Sequence, residues 1–348
     1  MPDTSTDLQR QLAGLPKVDL HRHLEGSLRL ETMLELVKSE GLDLPQEEAA
    51  LRTLVQVQPH DPHTSANFLA KFGYVRKFFT SPEVIQRVTK EAIADAAAEN
   101  VCYLELHFTP VALAEAGGFQ LTDVVDWVVE AASVAKLEYG LQLGLIASVN
   151  RQEAVGLAEK VTQNAIDQMD RGIVGLSLAG DEAGSPTEPF EPVFAAAQEA
   201  GLGITIHAGE WNGAEKVRHA LEKMGATRIG HGVRVIEDPE VVAMARDRRA
   251  VFEVCLTSNV QSGVVPSISA HPLPQMVQAG LQVTLNTDDP GISDICLSTE
   301  YALAVEELGF STVSLTGFIL TAVQASFLPQ REKAALESDL IAALMPPT

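Results

Sequence analysis

The sequence predicts an α/β protein: a (β/α)8, or TIM, barrel with a helical insertion after its first strand and extra helices at its C-terminus. Three observations predict it. From about residue 100 onward, short apolar runs alternate with longer segments of helical period, the pattern of βα units around a parallel sheet. Eight runs of strand length can be marked along the chain. Polar side chains of ligand type fall repeatedly at the ends of those runs, where parallel barrels assemble their sites.

The first run is 17–23, and the others are 101–107, 141–146, 173–178, 203–207, 228–231, 251–255 and 282–286. Between the first and second lie about 75 residues of helical pattern (ETMLELVKSE, EEAALRTLV, ANFLAKFGYVRKFF, VIQRVTKEAIADAAAEN), too many for one crossover helix. They are expected to form an insertion over the barrel mouth. After about residue 295, LSTEYALAVEEL, LTGFILTAVQASF and PQREKAALESDLIAALM read as amphipathic helices that complete and pack on the outer ring. No Pro/Gly/Ser linker or low-complexity tract interrupts the pattern, so residues 1–348 are expected to form a single barrel domain.

Hydrophobic residues make up 46% and charged residues 21%, which suits a large buried core. The 47 acidic against 25 basic side chains give a net charge of -22, which repels phosphate backbones and anionic membranes, so neither nucleic acid nor a membrane is expected as partner. No stretch approaches a membrane span and MPDTSTDLQRQL lacks the regions of a signal peptide, so a cytoplasmic location is expected. Nothing in the sequence specifies an oligomeric state. Cys102, Cys255 and Cys296 are far apart, without C-x-x-C spacing, and are expected to be reduced core residues.

His21 and His23 end the first run, His207 the fifth and His231 the sixth, while Asp288 and Asp289 follow the eighth. Residues two apart on a strand share a face, so His21 and His23 can meet one ion. Imidazoles with a carboxylate and no thiolate suit zinc or a similar divalent ion. The pairs Asp288-Asp289 and Asp181-Glu182 also fit helix caps and first-turn acids. His60, His63, His219 and His271 are read as ordinary hydrogen-bonded residues. Glu210 follows His207 in HAGEWNG, past a strand end, where small residues let the chain turn tightly. Hydrolysis needs one group to take the water's proton and another to give one to the substrate; Glu210, His231 and Asp288 are the candidates.

In order and spacing, DLHRHLEGSLR, SLAGDE, HAGE, IGHGVR, VCLTSN and NTDDPG resemble the adenosine deaminase family of the amidohydrolase superfamily, from about Leu15 to about Leu308. The resemblance implies a (β/α)8 barrel with one zinc per chain, held by His21, His23, His207 and Asp288. Glu210 would protonate purine N1, and His231 would orient the attacking hydroxide and help remove its proton. Asp289 would bind N7, the backbone of Gly180 would bind N3, and His23 would lie against the substrate as well as the ion. Phe68 and Leu69, in FLAKF, resemble the family's flap over the purine, and a core stripe at helical spacing is the other reading. Many adenosine deaminases carry Asp where this chain has Glu25, the position that contacts the ribose 5′ hydroxyl, and Arg where it has His107.

The expected reaction is zinc-dependent hydrolytic deamination of a 6-aminopurine nucleoside, with adenosine or deoxyadenosine first. The alternatives are 6-aminodeoxyfutalosine, a nucleoside with a bulky 5′ group, and adenine. Hydrolysis of an amide or ester at the same metal, and an inactive barrel acting as a binding module, are the readings from other classes; the intact Glu210 and ligand set argue against both.

Overall fold

The computed structural model describes residues 4–344, and Met345, at the end of the last predicted helix, lies outside them. Eight strands, β1 (Lys17–His23), β2 (Val101–Phe108), β3 (Gln142–Asn150), β4 (Ile173–Ala179), β5 (Gly203–His207), β6 (Arg228–Gly230), β7 (Val251–Val254) and β8 (Gln282–Leu285), pair in parallel in sequential order. All match the predicted runs, except that β3 continues to Asn150 through SVN, a polar stretch buried at the barrel's upper end.

The seam between β8 and β1 is closed by the segment just after β8. The Asn286 side-chain oxygen accepts the Leu20 N–H at 3.0 Å, the Asp288 N–H donates to the His21 carbonyl at 2.8 Å, and the Asp288 carbonyl accepts the His23 N–H at 2.8 Å. Arg22 and Asp288 thereby form a parallel bridge. The result is the (β/α)8 barrel that the sequence predicts.

Inside, the lower layer is not apolar. Arg228 is buried between Glu105 and Glu253, 2.5 Å from each, over the Phe327 ring, whose centroid lies 3.7 Å away. Thr205 donates to Glu253, Tyr103 to Glu105 at 2.7 Å, and Ser148 meets Ser177 at 2.8 Å. Buried charges persist only when paired, and removing one partner of such a pair costs about 3–5 kcal/mol.

Helix α1 (Thr4–Gly14) precedes the barrel. The insertion comprises α2 (Leu30–Glu40), α3 (Glu48–Val55), α4 (Ser65–Val75) and α5 (Pro82–Ala98). Thr64 starts α4 by accepting the Asn67 N–H at 3.2 Å, and Lys71 ties it down through Asp61 and the Thr53 carbonyl, each at 2.9 Å. This fixes the face that carries Phe68 over the barrel mouth. Beyond the barrel, α6 (Leu297–Glu306) packs on α1, α7 (Thr312–Ala325) covers both β8 and β1, and α8 (Gln330–Leu344) packs on α7. Among the described residues no helix is long and apolar enough to cross a membrane. Cys255 is buried in the core as expected, whereas Cys102 and Cys296 are only half-buried; all three are free thiols.

Candidate active site

The cavity at the C-terminal ends of the strands is lined by residues from nearly every βα loop, among them His23, Glu25, His207, Glu210, His231, Asp288 and Asp289. His21 and His23 share the inward face of β1. Their Nε2 atoms lie 3.2 Å apart, and Asp288 Oδ1 is 3.3 Å from each. His207 and His231 complete the group: the rings of His21, His207 and His231 have centroids 4.6 to 5.1 Å apart, and one nitrogen of each lies within 4.8 Å of the others. Asp288 and His231 both adopt positive φ, 61° and 57°, a strained conformation for such side chains that turns them into the cavity.

The donor set fits a divalent cation. His207 Nε2 is buried without a hydrogen-bond partner. Burial opposes charge on His21, but Asp288 and Glu253 outweigh it and hold its pKa up at about 10; burial leaves His23 at about 3, His231 at about 4 and His207 well below its ordinary value. Burial pushes Asp288 up, yet His231, His21 and His23 outweigh that and keep it ionised. The unprotonated imidazoles of His23, His207 and His231 therefore face the Asp288 carboxylate, and a cation would take the place of the proton that Asp288 and Glu253 hold on His21. Behind them, His21 Nδ1 lies 2.7 Å from Glu253, the carboxylate braced by Arg228, and an outer partner of this kind fixes a ligand's orientation. His107 stacks on His21 with centroids 4.9 Å apart and donates from Nε2 to the Leu20 carbonyl, 3.1 Å away, so it forms the back wall of the cluster.

Glu210 is buried, with Oε2 3.7 Å from His231 Nε2 and 3.9 Å from His207 Nδ1. Burial, then the Asp288 and Glu182 carboxylates, push its pKa well above the ordinary carboxyl value and favour its protonated form. Its loop is held by Glu182, whose carboxylate accepts the N–H groups of Gly209, Glu210, Trp211 and Asn212 at 2.7 to 3.0 Å. Arg151, fully buried, donates to the His207 carbonyl at the start of the same loop. Gly209 has φ of 67° and a Cβ there would lie 2.6 Å from Val217, so only glycine makes this turn.

Asp289 is buried with Oδ1 unpartnered, and burial followed by the Asp288 charge raises its pKa well above the carboxylate range. It packs so closely on Gly26 that a Cβ there would lie 1.8 Å from Oδ1. The strand ends at His23, and Glu25 sits in a 3-10 turn that faces the cavity. Its Oε1 accepts the Thr109 N–H at 3.1 Å, while Oε2 is buried without a partner. Nearby Arg29 pairs with Asp95, at 2.6 Å. Gly180 lines the wall beside Gln152, and Phe68, Leu69, Phe72 and Arg76 close the top. Glu253, Glu182, Asn259 and Trp211 were not legible as site residues. His60 and His63 lie exposed and His219 pairs with Glu188 and Glu191, all away from the cavity.

The family model described as adenosine deaminase matches residues 16–343. This chain belongs to the adenosine deaminase family. It is 36% identical over 325 residues to an adenosine deaminase of Vibrio parahaemolyticus, covering 93% of this chain and 97% of that one. Among solved structures it is similar to an adenine deaminase of Arthrobacter aurescens (28% identity, TM-score 0.87, 94% and 98% of the two chains). It is also similar to a zinc-bound amidohydrolase of Burkholderia ambifaria (25%, 0.88, 97% and 92%) and to Arabidopsis ADAL in complex with GMP (27%, 0.85, 96% and 98%). The protein is thus a deaminase of this family, with a His/Asp group that could bind a metal.

Proposed function

We propose that the protein hydrolyses the 6-amino group of a purine nucleoside, adenosine or deoxyadenosine first, to the 6-oxopurine and ammonia, with zinc held by His21, His23, His207 and Asp288. The observation that carries this reading is the placement of three buried carboxyl groups around one cavity: Asp288 lies 3.3 Å from both His21 and His23, Glu210 Oε2 lies 3.7 Å from His231, and Asp289 Oδ1 is buried without a partner, with burial and neighbouring carboxylates favouring the protonated form of the last two. A flat aromatic ring with two acceptor nitrogens matches that pattern. Protonated Glu210 donates to N1, which makes C6 electrophilic, and protonated Asp289 donates to N7, which can only accept. The Gly180 backbone is the partner for N3, and Phe68 and Leu69 cover the ring and exclude water. When bound, zinc lowers the pKa of a water to about 7 and so supplies the nucleophile near neutral pH. His231 and Asp288 flank the place where that water attacks, and His23 and Glu25 face the sugar.

A second reading is favoured by Arg76. Its Nε is buried without a partner and it lines the same cavity as Glu25, so it could meet an anionic group carried on the 5′ carbon. That suits 6-aminodeoxyfutalosine, or a nucleotide of the size seen with the Arabidopsis relative. Adenine alone would leave the Glu25 and Arg76 end of the cavity unfilled. Turnover of adenine, adenosine, AMP and 6-aminodeoxyfutalosine, followed by loss of adenine absorbance, tests the assignment. Adenosine is expected to have the highest kcat/KM; preference for either anionic substrate selects the second reading, and no turnover of any of them defeats both.

A further inference from the structure

We infer that His231 presents an N–H, not a lone pair, to the reacting atoms, because a relay through Asn259 and His271 fixes its tautomer from a backbone amide. The inference deepens the deaminase reading of this site and rests on it. The relay starts at Leu273, whose N–H donates to His271 Nδ1 at 3.0 Å. A backbone N–H can only donate, so His271 Nδ1 is bare and its proton sits on Nε2. That Nε2–H lies 3.2 Å from the Asn259 side-chain oxygen, which accepts it. With its oxygen so engaged, Asn259 turns its Nδ2 toward His231 Nδ1, 3.1 Å away, and donates there. His231 Nδ1 is therefore bare in turn, and its proton sits on Nε2, the atom 3.7 Å from Glu210 and 3.9 Å from Asp288. Each assignment follows from the one before, and the whole network is fixed by a backbone N–H that can only donate.

All three side chains are buried, at 1% exposure for His231, 0% for Asn259 and 3% for His271, so water does not compete for these positions. A bare Nε2 could take a proton from the attacking water; an Nε2–H cannot. His231 is then a hydrogen-bond donor that holds the attacking oxygen and stabilises charge on it as its bond to C6 forms. The neighbouring ionised carboxylate, Asp288, is left to accept the water's proton. Asn259 and His271 touch no reacting atom and are positioning residues, and the fully buried His271 has a task that its place in the sequence does not show.

Imidazole nitrogen NMR of the zinc-loaded protein, labelled with 15N-histidine, reads the tautomer without substrate. The expected result is His231 with Nε2 protonated and Nδ1 bare, and a proton on Nδ1 overturns the inference. His271→Phe and Asn259→Leu should mix the tautomers and lower kcat about 10- to 100-fold, with metal content unchanged and KM within about threefold. His271→Gln can accept from Leu273 and donate to Asn259, so it should restore both the single tautomer and most of kcat. If His271→Gln is as impaired as His271→Phe, or Asn259→Leu keeps the wild-type kcat, the relay does not act as described. A wild type with the expected tautomer that deaminates no purine would defeat the assigned reaction and leave the relay standing.

Discussion

Glu182 positions Glu210 without touching its side chain. One carboxylate accepts four consecutive amide N–H groups, from Gly209 to Asn212, and so fixes the backbone from which the Glu210 carboxyl reaches the cavity. Charge-assisted bonds of this kind are roughly twice as strong as neutral ones. In Glu182→Gln an amide N–H2 replaces one acceptor and faces backbone donors. We expect kcat to fall about 10- to 100-fold, with metal retained. Amide hydrogen exchange at 209–212 should quicken in the same variant, and unchanged exchange with unchanged kcat would remove the role.

Glu25 is expected to act at the sugar end alone. Its Oε2 is buried, unpartnered and turned to the cavity, free to accept a hydroxyl proton. Loss of one such bond costs about 0.5–1.5 kcal/mol, so Glu25→Ala should lower kcat/KM for adenosine by about 2- to 10-fold. On 5′-deoxyadenosine the variant should match wild type. An equal loss on both substrates would refute contact with the 5′ hydroxyl.

Protein purified without chelator is expected to carry about one zinc per chain, and chelation should lower its Tm as well as abolish activity, because ligand binding to the native state alone adds stability. In His207→Ala, elemental analysis should find the metal lost. Full occupancy of that variant would exclude His207 as a ligand.

Glu300 gives a pH dependence of stability separate from the chemistry. Burial raises its pKa from 4.5 to about 7, outweighing the hydrogen bonds it accepts from Thr257. The folded state therefore holds this proton more tightly than the unfolded state does. The stability that follows is complete below about pH 4.5 and is lost as pH rises toward 7, on the order of 3 kcal/mol in all. Glu300→Gln keeps a neutral side chain throughout. Denaturant melts between pH 5 and 8 should show the variant gaining on wild type as pH rises, and parallel curves would contradict the shift.

The barrel is legible in the sequence because its strands are short apolar runs with sharp ends, and His21, His23 and His207 stand out because they break apolar runs where a strand stops. Other parts follow from contacts that no local period encodes. Glu105, Arg228 and Glu253 lie in apolar strands, where a lone charge gives no sign of pointing inward; only closure of the barrel makes them one another's partners. Asn259 and His271 are 12 residues apart on either side of an irregular segment, a spacing shared by no helix or strand. Asp181-Glu182 reads as a helix cap. Asp181 does bind local amides, those of Ala183 and Gly184, while Glu182 reaches across to the β5 loop. Arg29 lies only four residues from Glu25 but is drawn to Asp95 on α5, a partner 66 residues away.

Asp288 both points a carboxylate at the histidines and stitches β8 to β1 through its own N–H and carbonyl. A ribosome delivers Asp288 only after more than 260 further residues have been added to a chain that already holds His21 and His23. Until that residue emerges, the nascent barrel is an open sheet with an unfinished cage. Products that stop before Asp288 would lack both the bridge that joins β8 to β1 and the carboxylate that faces His21 and His23.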